Sequence, residues 1–346
     1  MQIAALEIGI IACVFAVLGF FFAIRRKPQT ALPRAESPPP GAAKTQQLPI
    51  PNSPEDSFET NFYRLIFNTD NLAATTDTAP LIKAFEEQYA TLVQDPSLLP
   101  RQPMILPKLL RAVRHDSGNA QAIVSIILED PGLTADVLKL ANSPLYRNSR
   151  ATLKDLEYAV VMLGVDGLKT LATASLIRPI FRDDEKSERV MANLQWEYAL
   201  ASAHVAQRYS KRFNPKEAFT AHLLTLLTCI SDFVIVQTTM RLVGEFGSAI
   251  NPESIIYLMT VYRHDITVSL MRAWSLDEKL IVQLATPERA GCSHTINAQR
   301  FGQAIGRGMV LMDQGKLCHD EIVDTFTGMG IEPELLEYLV MRSEAD

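Results

Sequence analysis

Apolar residues recur at helical spacing through most of this chain. From residue 57 onward they follow the pattern i, i+4, i+7, i+8, as in Phe58, Phe62, Leu65 and Ile66, and in the later set Leu81, Phe85, Tyr89, Leu92 and Val93. This spacing places the apolar side chains on one face of a helix, whereas a strand needs strict alternation. No convincing alternating segment occurs, so we predict an all-α fold for residues 57–346.

Helix start and stop signals agree with that prediction. Three sites put an N-cap acceptor before a proline at the first helical position: Asp130-Pro131, Asn214-Pro215 and Asn251-Pro252. Thr152 with Asp155 resembles a capping box, and Gly164 stands where the helix that follows is expected to end.

The longest apolar run of the helical region is AFTAHLLTLLTCISDFVIV, residues 218–236. Its length alone would allow a membrane span. It contains His222, Asp232 and several threonines, however, and it follows a cap signal that is typical of soluble helices. We therefore predict a buried core helix, with His222 bonded to a neighbouring carbonyl or hydroxyl group.

A second apolar run lies at the N-terminus. Residues 8–24 carry no charge, and residues 3–24 would form about 33 Å of helix, enough to cross a bilayer. Arg25, Arg26 and Lys27 follow directly, which predicts that the later residues are cytoplasmic. A cleaved signal peptide would carry its positive charge before the apolar core, so residues 1–27 are interpreted as a single-span membrane anchor.

Residues 28–56 connect this anchor to the helical region. They hold eight prolines and hardly any large apolar side chain. Such a segment cannot bury enough surface to fold, so we predict a disordered, extended tether.

Composition excludes several functions. The formal net charge of -6 argues against binding nucleic acid. The four cysteines are far apart and form no Cys-x-x-Cys pair, which suits a reducing compartment and suggests neither a zinc knot nor a disulfide framework. The chain also lacks a dinucleotide-binding glycine motif, a Walker loop and a Gly-x-Ser-x-Gly elbow.

Two ordered segments resemble the signature of the HDOD domain family, IILEDPGLTADVLKLANSPLYR (126–147) and TLKDLEYAVVMLGVDGLKTLATAS (152–175). The matching positions are Asp130, Pro131, Leu133, Asn142, Ser143, Tyr146, Leu163, Gly164 and, further on, Trp274. In place of the family's proline after Trp274-x-Leu276 stands Asp277. The resemblance covers about residues 98–290, which leaves a helical lead-in at 57–97 and a C-terminal helical extension at 291–346.

This resemblance implies kinship with HD-type phosphohydrolases, whose metals are held by a histidine, a His-Asp pair and a distant aspartate. On the helix at 218–236 the His-Asp positions fall on Thr225 and Leu226, and the upstream histidine falls near Tyr198. Leucine cannot coordinate a metal, so we predict no metal, no cofactor and no catalysis. A rebuilt metal site that combines His204, His222 and His264 is the alternative.

The resemblance further implies a role in bacterial signal transduction, which would place the chain in the bacterial inner membrane. We expect a non-catalytic module that docks other signalling proteins. One rival is a metal-dependent phosphohydrolase with displaced ligands. Another is a module that binds a small nucleotide through Arg147, Arg150, Lys154 and Lys169. At Asn142, Ser143 and Tyr146 a purely structural role as a tight helix corner is favoured over contact with a partner or ligand.

Overall fold

The computed structural model describes residues 54–67, 78–114, 120–147, 152–182, 186–246, 251–285, 293–328 and 331–340. Their regular elements are α-helices and short 3₁₀ turns, so the all-α prediction is confirmed for this part of the chain. The α-helices are α1 (Pro54–Phe67), α2 (Ala79–Gln94), α3 (Leu106–Arg114), α4 (Ala120–Leu128), α5 (Pro131–Ala141), α6 (Leu156–Ile177), α7 (Lys186–Phe213), α8 (Ala218–Phe246), α9 (Pro252–Ala273), α10 (Glu278–Ala285), α11 (Ser293–Asp313), α12 (His319–Gly328) and α13 (Pro333–Val340). The predicted anchor at 3–24 and most of the predicted tether at 28–56 lie outside the described residues. The last three residues of the predicted tether, 54–56, instead form the first turn of α1.

Helix α8 lies at the centre of the bundle. Every residue from Ala221 to Val236 is buried, and α7, α9 and α11 pack against it. Two described segments, Leu156–Phe181 and Pro215–Phe246, have the length and composition of a membrane span, but 89% of the apolar window of the second is buried within the protein. The prediction of a core helix at 218–236 is therefore confirmed.

Local capping signals determine where several helices begin. Asp130 Oδ1 accepts hydrogen bonds from the main-chain nitrogens of Gly132 at 2.8 Å and Leu133 at 3.1 Å, which starts α5 as predicted. Asn251 Oδ1 accepts from Ser254 N at 2.8 Å and starts α9 in the same way.

Two capping predictions were wrong. Asn214 makes no side-chain cap, because a 3₁₀ turn at Pro215–Glu217 joins α7 to α8 and the Asn214 carbonyl accepts from Glu217 N at 3.0 Å. Helix α6 is capped by Asp155, which accepts from Tyr158 N at 2.7 Å, and not by Thr152. Thr152 lies in the irregular segment that precedes the helix.

Gly164 interrupts α6 as predicted, but the chain does not leave the helix there for long. Its φ of 72° and ψ of 175° are non-helical, and a second helical segment continues directly to Ile177. A positive φ favours glycine, which explains the Leu163-Gly164 pair at this kink. Leu163 is half-buried against the core.

The helices before and after the family-like region belong to the same compact unit, Leu48–Asp346. Helix α11 packs closely along α7 and also contacts α1. A Cβ atom at Gly302 would lie 2.3 Å from the carbonyl oxygen of Ser202, and one at Gly306 would lie 2.3 Å from the Ser202 hydroxyl. The two glycines therefore allow the backbones of α7 and α11 to approach.

Candidate functional site

His222 is a core residue of α8. It is completely buried, and its Nδ1 lies 3.2 Å from the carbonyl oxygen of Ala203 on α7. Burial lowers the pKa of His222 to about 4, although the main-chain groups of Ala203 and Thr170 oppose that shift. At neutral pH the imidazole is therefore uncharged, and the prediction of a bonded core histidine is confirmed.

The three histidines of the alternative metal site do not come together. His204 on α7 and His222 on α8 are buried, whereas His264 is exposed on α9. The His204 ring packs edge-on against Tyr146, with ring centroids 4.8 Å apart. Within the described ranges, no group of three or more His, Cys, Asp or Glu side chains could hold a metal ion.

Thr225 and Leu226, the predicted replacements for the His-Asp pair, are both fully buried on α8. The Thr225 hydroxyl donates to the Ala221 carbonyl at 2.7 Å, a bond within its own helix. Tyr198 on α7 is buried as well, and its hydroxyl donates to Asp232 Oδ2 at 3.2 Å. Of the three predicted positions, only Tyr198 therefore contacts an ionisable group of α8.

Asp232 is the charged group at the centre of the bundle, and its side chain is completely buried. Arg263 Nε on α9 donates to Asp232 Oδ1. Asp232 Oδ2 accepts from Tyr198, and from Gln303 Nε2 at 3.3 Å. Burial raises the pKa of the Asp232 carboxyl, and the guanidinium groups of Arg263 and Arg307 oppose that rise. Both carboxylate oxygens are engaged by protein donors.

A second ion pair extends this network. Arg307 Nη2 on α11 donates to Glu59 Oε1 on α1 at 2.5 Å, and Arg263 Nη2 lies 3.6 Å from the same oxygen. Glu59, Asp232, Arg263 and Arg307 form what we name the four-charge cluster. Its two positive and two negative charges balance, which is the condition for burying ionised groups at acceptable cost.

Sequence reasoning missed the four-charge cluster. A carboxylate within the apolar run at 218–236 indicates a buried charge that needs a partner. The partner is 31 residues away, and Glu59 and Arg307 are 248 residues apart. Nothing in the local pattern could have paired them.

The burial of neutral His222 makes stability depend on pH. The pKa is about 4 in the folded chain and about 6.5 in the unfolded chain, so the unfolded chain binds more protons between these values. Stability should therefore fall as the pH decreases from about 6.5 to about 4, with a contribution from His222 of up to about 1.4 kcal/mol per pH unit. Urea unfolding of wild type and His222→Gln across this range measures the difference.

His264→Gln is the matched control for that experiment, because His264 is exposed. We expect it to keep the wild-type pH dependence. Equal slopes for wild type and His222→Gln would show that the imidazole of His222 is accessible to protons in the folded chain.

The predicted helix corner is present after α5. Asn142 Nδ2 donates to the carbonyls of Leu138 at 2.8 Å and Leu153 at 2.9 Å, and Asn142 Oδ1 accepts from Leu153 N at 2.8 Å. Ser143 Oγ donates to the Leu140 carbonyl at 2.7 Å. Tyr146 is buried against His204. Each of the three signature residues therefore has contacts within the domain that hold this corner.

Trp274 joins the end of α9 to the start of the family-like region. Its indole nitrogen donates to the Pro100 carbonyl at 2.7 Å, and its own carbonyl accepts from Gln102 Nε2 at 2.8 Å. The loop around residues 99–105 is therefore tied to α9. Asp277, which replaces the family's proline, accepts from Lys279 N at 2.9 Å at the start of α10.

A cleft of about 1220 Å³ opens beside this loop. Its walls are formed by α2, the loop at 98–105, the start of α5, the end of α6 with the 3₁₀ turn Arg178–Phe181, and α8. The signature residues Asp130 and Leu133 line it, together with Gly132. Pro131 fixes the first turn of α5 between them. The cleft was not predicted, because its walls come from separate parts of the chain.

The basic residues proposed for nucleotide binding have other surroundings. Lys169 pairs with Asp166 and lies 5.2 Å from the ring centroid of Phe219. Lys154 is exposed, Arg147 is half-buried, and Arg150 lies outside the described residues. Arg147 and Lys154 do not line the cleft, nor does Lys169.

The HDOD domain family model matches residues 99–289, more than half of the chain. The chain therefore belongs to the HDOD domain family, as its signature indicated. No curated protein matches it significantly.

Several solved structures are similar to this chain. One, from Shewanella amazonensis SB2B, is provisionally named a metal-dependent phosphohydrolase. It is 16% identical, with a TM-score of 0.49 over 75% of this chain and 96% of that chain. An HDOD domain protein of unknown function from Geobacter sulfurreducens is 20% identical, with a TM-score of 0.47 over 73% of this chain and 99% of that chain.

Proposed function

We propose that this HDOD protein is a non-catalytic signalling module that docks other proteins of bacterial signal transduction. The observation that supports the non-catalytic part of the proposal is the hydrogen bonding of Asp232. Both of its carboxylate oxygens are engaged by protein donors, with a guanidinium group on one side. Thr225 and Leu226, at the positions expected for a His-Asp pair, offer no replacement ligand set.

The proposal includes attachment to the bacterial inner membrane. Residues 3–24 would span the bilayer and the proline-rich segment before α1, residues 28–53, would act as a tether, which leaves the helical bundle in the cytoplasm. The support is the order of the apolar run and the basic residues Arg25, Arg26 and Lys27. Protein partners are proposed, with no nucleic acid and no cofactor.

The metal content of the purified full-length chain tests the non-catalytic part. After dialysis without chelator we expect no stoichiometric divalent metal by elemental analysis, and no hydrolysis of a phosphodiester substrate when Mn²⁺ or Mg²⁺ is added. We expect this because the carboxylate of Asp232 already forms an ion pair with Arg263, which opposes the binding of a metal cation.

Asp232→Asn and Asp265→Asn provide the comparison, since Asp265 is an exposed carboxylate of α9. One or two metals per chain that are lost in Asp232→Asn and retained in Asp265→Asn would contradict the proposal. The central helix would then carry a metal site.

A further inference from the structure

The cleft beside the loop at 98–105 presents apolar side chains to solvent on a fixed framework. Met104 is 95% exposed and Leu98 is 55% exposed, and both line the cleft. The loop that carries Met104 is held by the hydrogen bonds between Trp274 and both Pro100 and Gln102. Because hydrogen bonds already fix this loop, a partner that contacts Met104 would lose little conformational entropy in ordering it.

Helix α2, which also lines the cleft, is held in place as well. Helix α2 is attached to α9 by hydrogen bonds from Tyr89 to Asp265 at 3.1 Å and from Tyr262 to Glu86 at 3.0 Å. Phe85 and Leu92 of α2 line the cleft. The cleft is thus a groove whose lining includes two segments that are tied to α9.

Size and lining favour a peptide over a small molecule. The volume of about 1220 Å³ exceeds the range of roughly 300–1,000 Å³ that is usual for small-molecule pockets. Met104, Met191 and Met240 all line the groove, and methionine side chains adapt their shape to the apolar face of a bound helix. An amphipathic helix that lays its apolar face into such a groove is a recurrent mode of protein recognition.

Charge indicates which helix would fit. Arg101, Arg182 and Arg241 line the groove and are exposed, although the chain as a whole carries a formal charge of -6. Two carboxylates also line it, and one of them, Asp130, already accepts hydrogen bonds from the start of α5. Arg241 also lies 3.9 Å from Glu245 Oε1, so Arg101 and Arg182 are the groups that would attract a partner with acidic residues beside its apolar face.

We propose that this groove binds an amphipathic helix of a partner protein, with apolar residues along one face and acidic residues flanking them. This inference rests on the proposed docking function and identifies its surface and the chemistry of its partner. The apolar face would cover Leu98 and Met104, and the acidic flank would contact Arg101 and Arg182.

Synthetic peptides test the inference on the purified full-length chain in nanodiscs of neutral lipid, with empty nanodiscs as the blank. One fluorescent peptide of about 18 residues, long enough to form a helix in water, carries leucine at i, i+3, i+4 and i+7 with glutamate between. A second replaces each glutamate by lysine, and a third shuffles the first to remove its helical period. We expect the glutamate peptide to bind most tightly by fluorescence anisotropy and the shuffled peptide to bind weakly.

Two matched variants place the binding in the groove. Met104→Glu should weaken binding of the glutamate peptide about tenfold or more, as loss of a central apolar anchor does. Val161→Glu makes the same change at a residue that is 78% exposed outside the groove, and it should leave binding unchanged.

Arg182→Glu tests the charge of the groove and should reverse the preference between the glutamate and lysine peptides. Leu98→Glu repeats the anchor test on the same wall.

Several results would overturn the inference. These are no peptide binding, equal binding of the shuffled peptide, or equal loss in Met104→Glu and Val161→Glu. A dimer of the chain that dissociates only in Met104→Glu would show that a second copy occupies the groove. If no peptide binds and the chain also lacks metal and hydrolytic activity, only the assignment of the groove is rejected. If the chain binds metal and hydrolyses the phosphodiester, the proposed non-catalytic function itself is rejected.

Discussion

Replacing Arg263 by methionine is expected to lower the free energy of unfolding by about 3–5 kcal/mol at pH 7, the usual cost of breaking a buried ion pair. Asp232 would keep its carboxylate in the centre of the bundle without the guanidinium that neutralises it. The Arg263 side chain retains 21% exposure, so the lower end of that range applies. Urea unfolding followed by circular dichroism measures the change.

Two further variants show whether the loss of stability comes from the uncompensated charge of Asp232. Arg241→Met removes an arginine whose side chain is 57% exposed, and it should change stability by less than about 1 kcal/mol. Adding Asp232→Asn to Arg263→Met removes the uncompensated charge and should restore part of the loss. If Arg263→Met is as mild as Arg241→Met, the carboxyl of Asp232 is neutral in the folded chain and the four-charge cluster does not exist as two ion pairs.

The second large effect is expected at the contact between α7 and α11. A Cβ atom at Gly306 would lie 2.8 Å from the Ser202 nitrogen and 2.9 Å from its Cα atom, as well as against the hydroxyl. Backbone atoms cannot relieve a clash by changing rotamer, as a flexible side chain can. The Gly306→Leu substitution therefore has to move α7 and α11 apart. We expect a loss of about 3 kcal/mol or more, at or beyond the upper end for overpacked cores, measured by thermal and urea unfolding.

Gly244→Leu is the matched control. Gly244 lies in α8 with no heavy atom within 4 Å of its added Cβ, and it is exposed. Leucine favours helix over glycine, so this variant should gain about 0.5–1 kcal/mol. The two substitutions are chemically identical and opposite in expected sign. A neutral Gly306→Leu would mean that α11 does not pack on α7 as closely as the structure indicates.

The close packing of α11 on α7 at Gly306 indicates that the folded domain extends beyond the region that the family model matches. The family model ends at residue 289, yet α11 supplies Gln303 and Arg307 to the network around Asp232 and Glu59. Helix α1, which lies before the matched region, supplies Glu59. We expect the folding unit to include both flanking helices, because a shorter piece would leave the buried charges without their partners.

Local chemistry in the sequence determined the fold class and several boundaries. The start of α5 at Asp130, the start of α9 at Asn251 and the break at Gly164 each follow from the capping or backbone preference of one or two neighbouring residues. The continuous apolar run at 218–236 likewise predicted the central helix. Because the sequence places no set of metal ligands with His222, it also predicted that His222 is a hydrogen-bonded core residue. Membership of the HDOD family could be read from the same short motifs.

The tertiary structure alone decided the pairing of charges and the shape of the surface. Asp232 meets Arg263, and Glu59 meets Arg307, only because four helices converge, and the residues involved are separated by 31 and 248 positions. The groove likewise exists only where α2, the loop tied by Trp274 and α8 face one another. Helical periodicity specifies which face of a helix turns inward, but it carries no information about which distant side chain that face will meet.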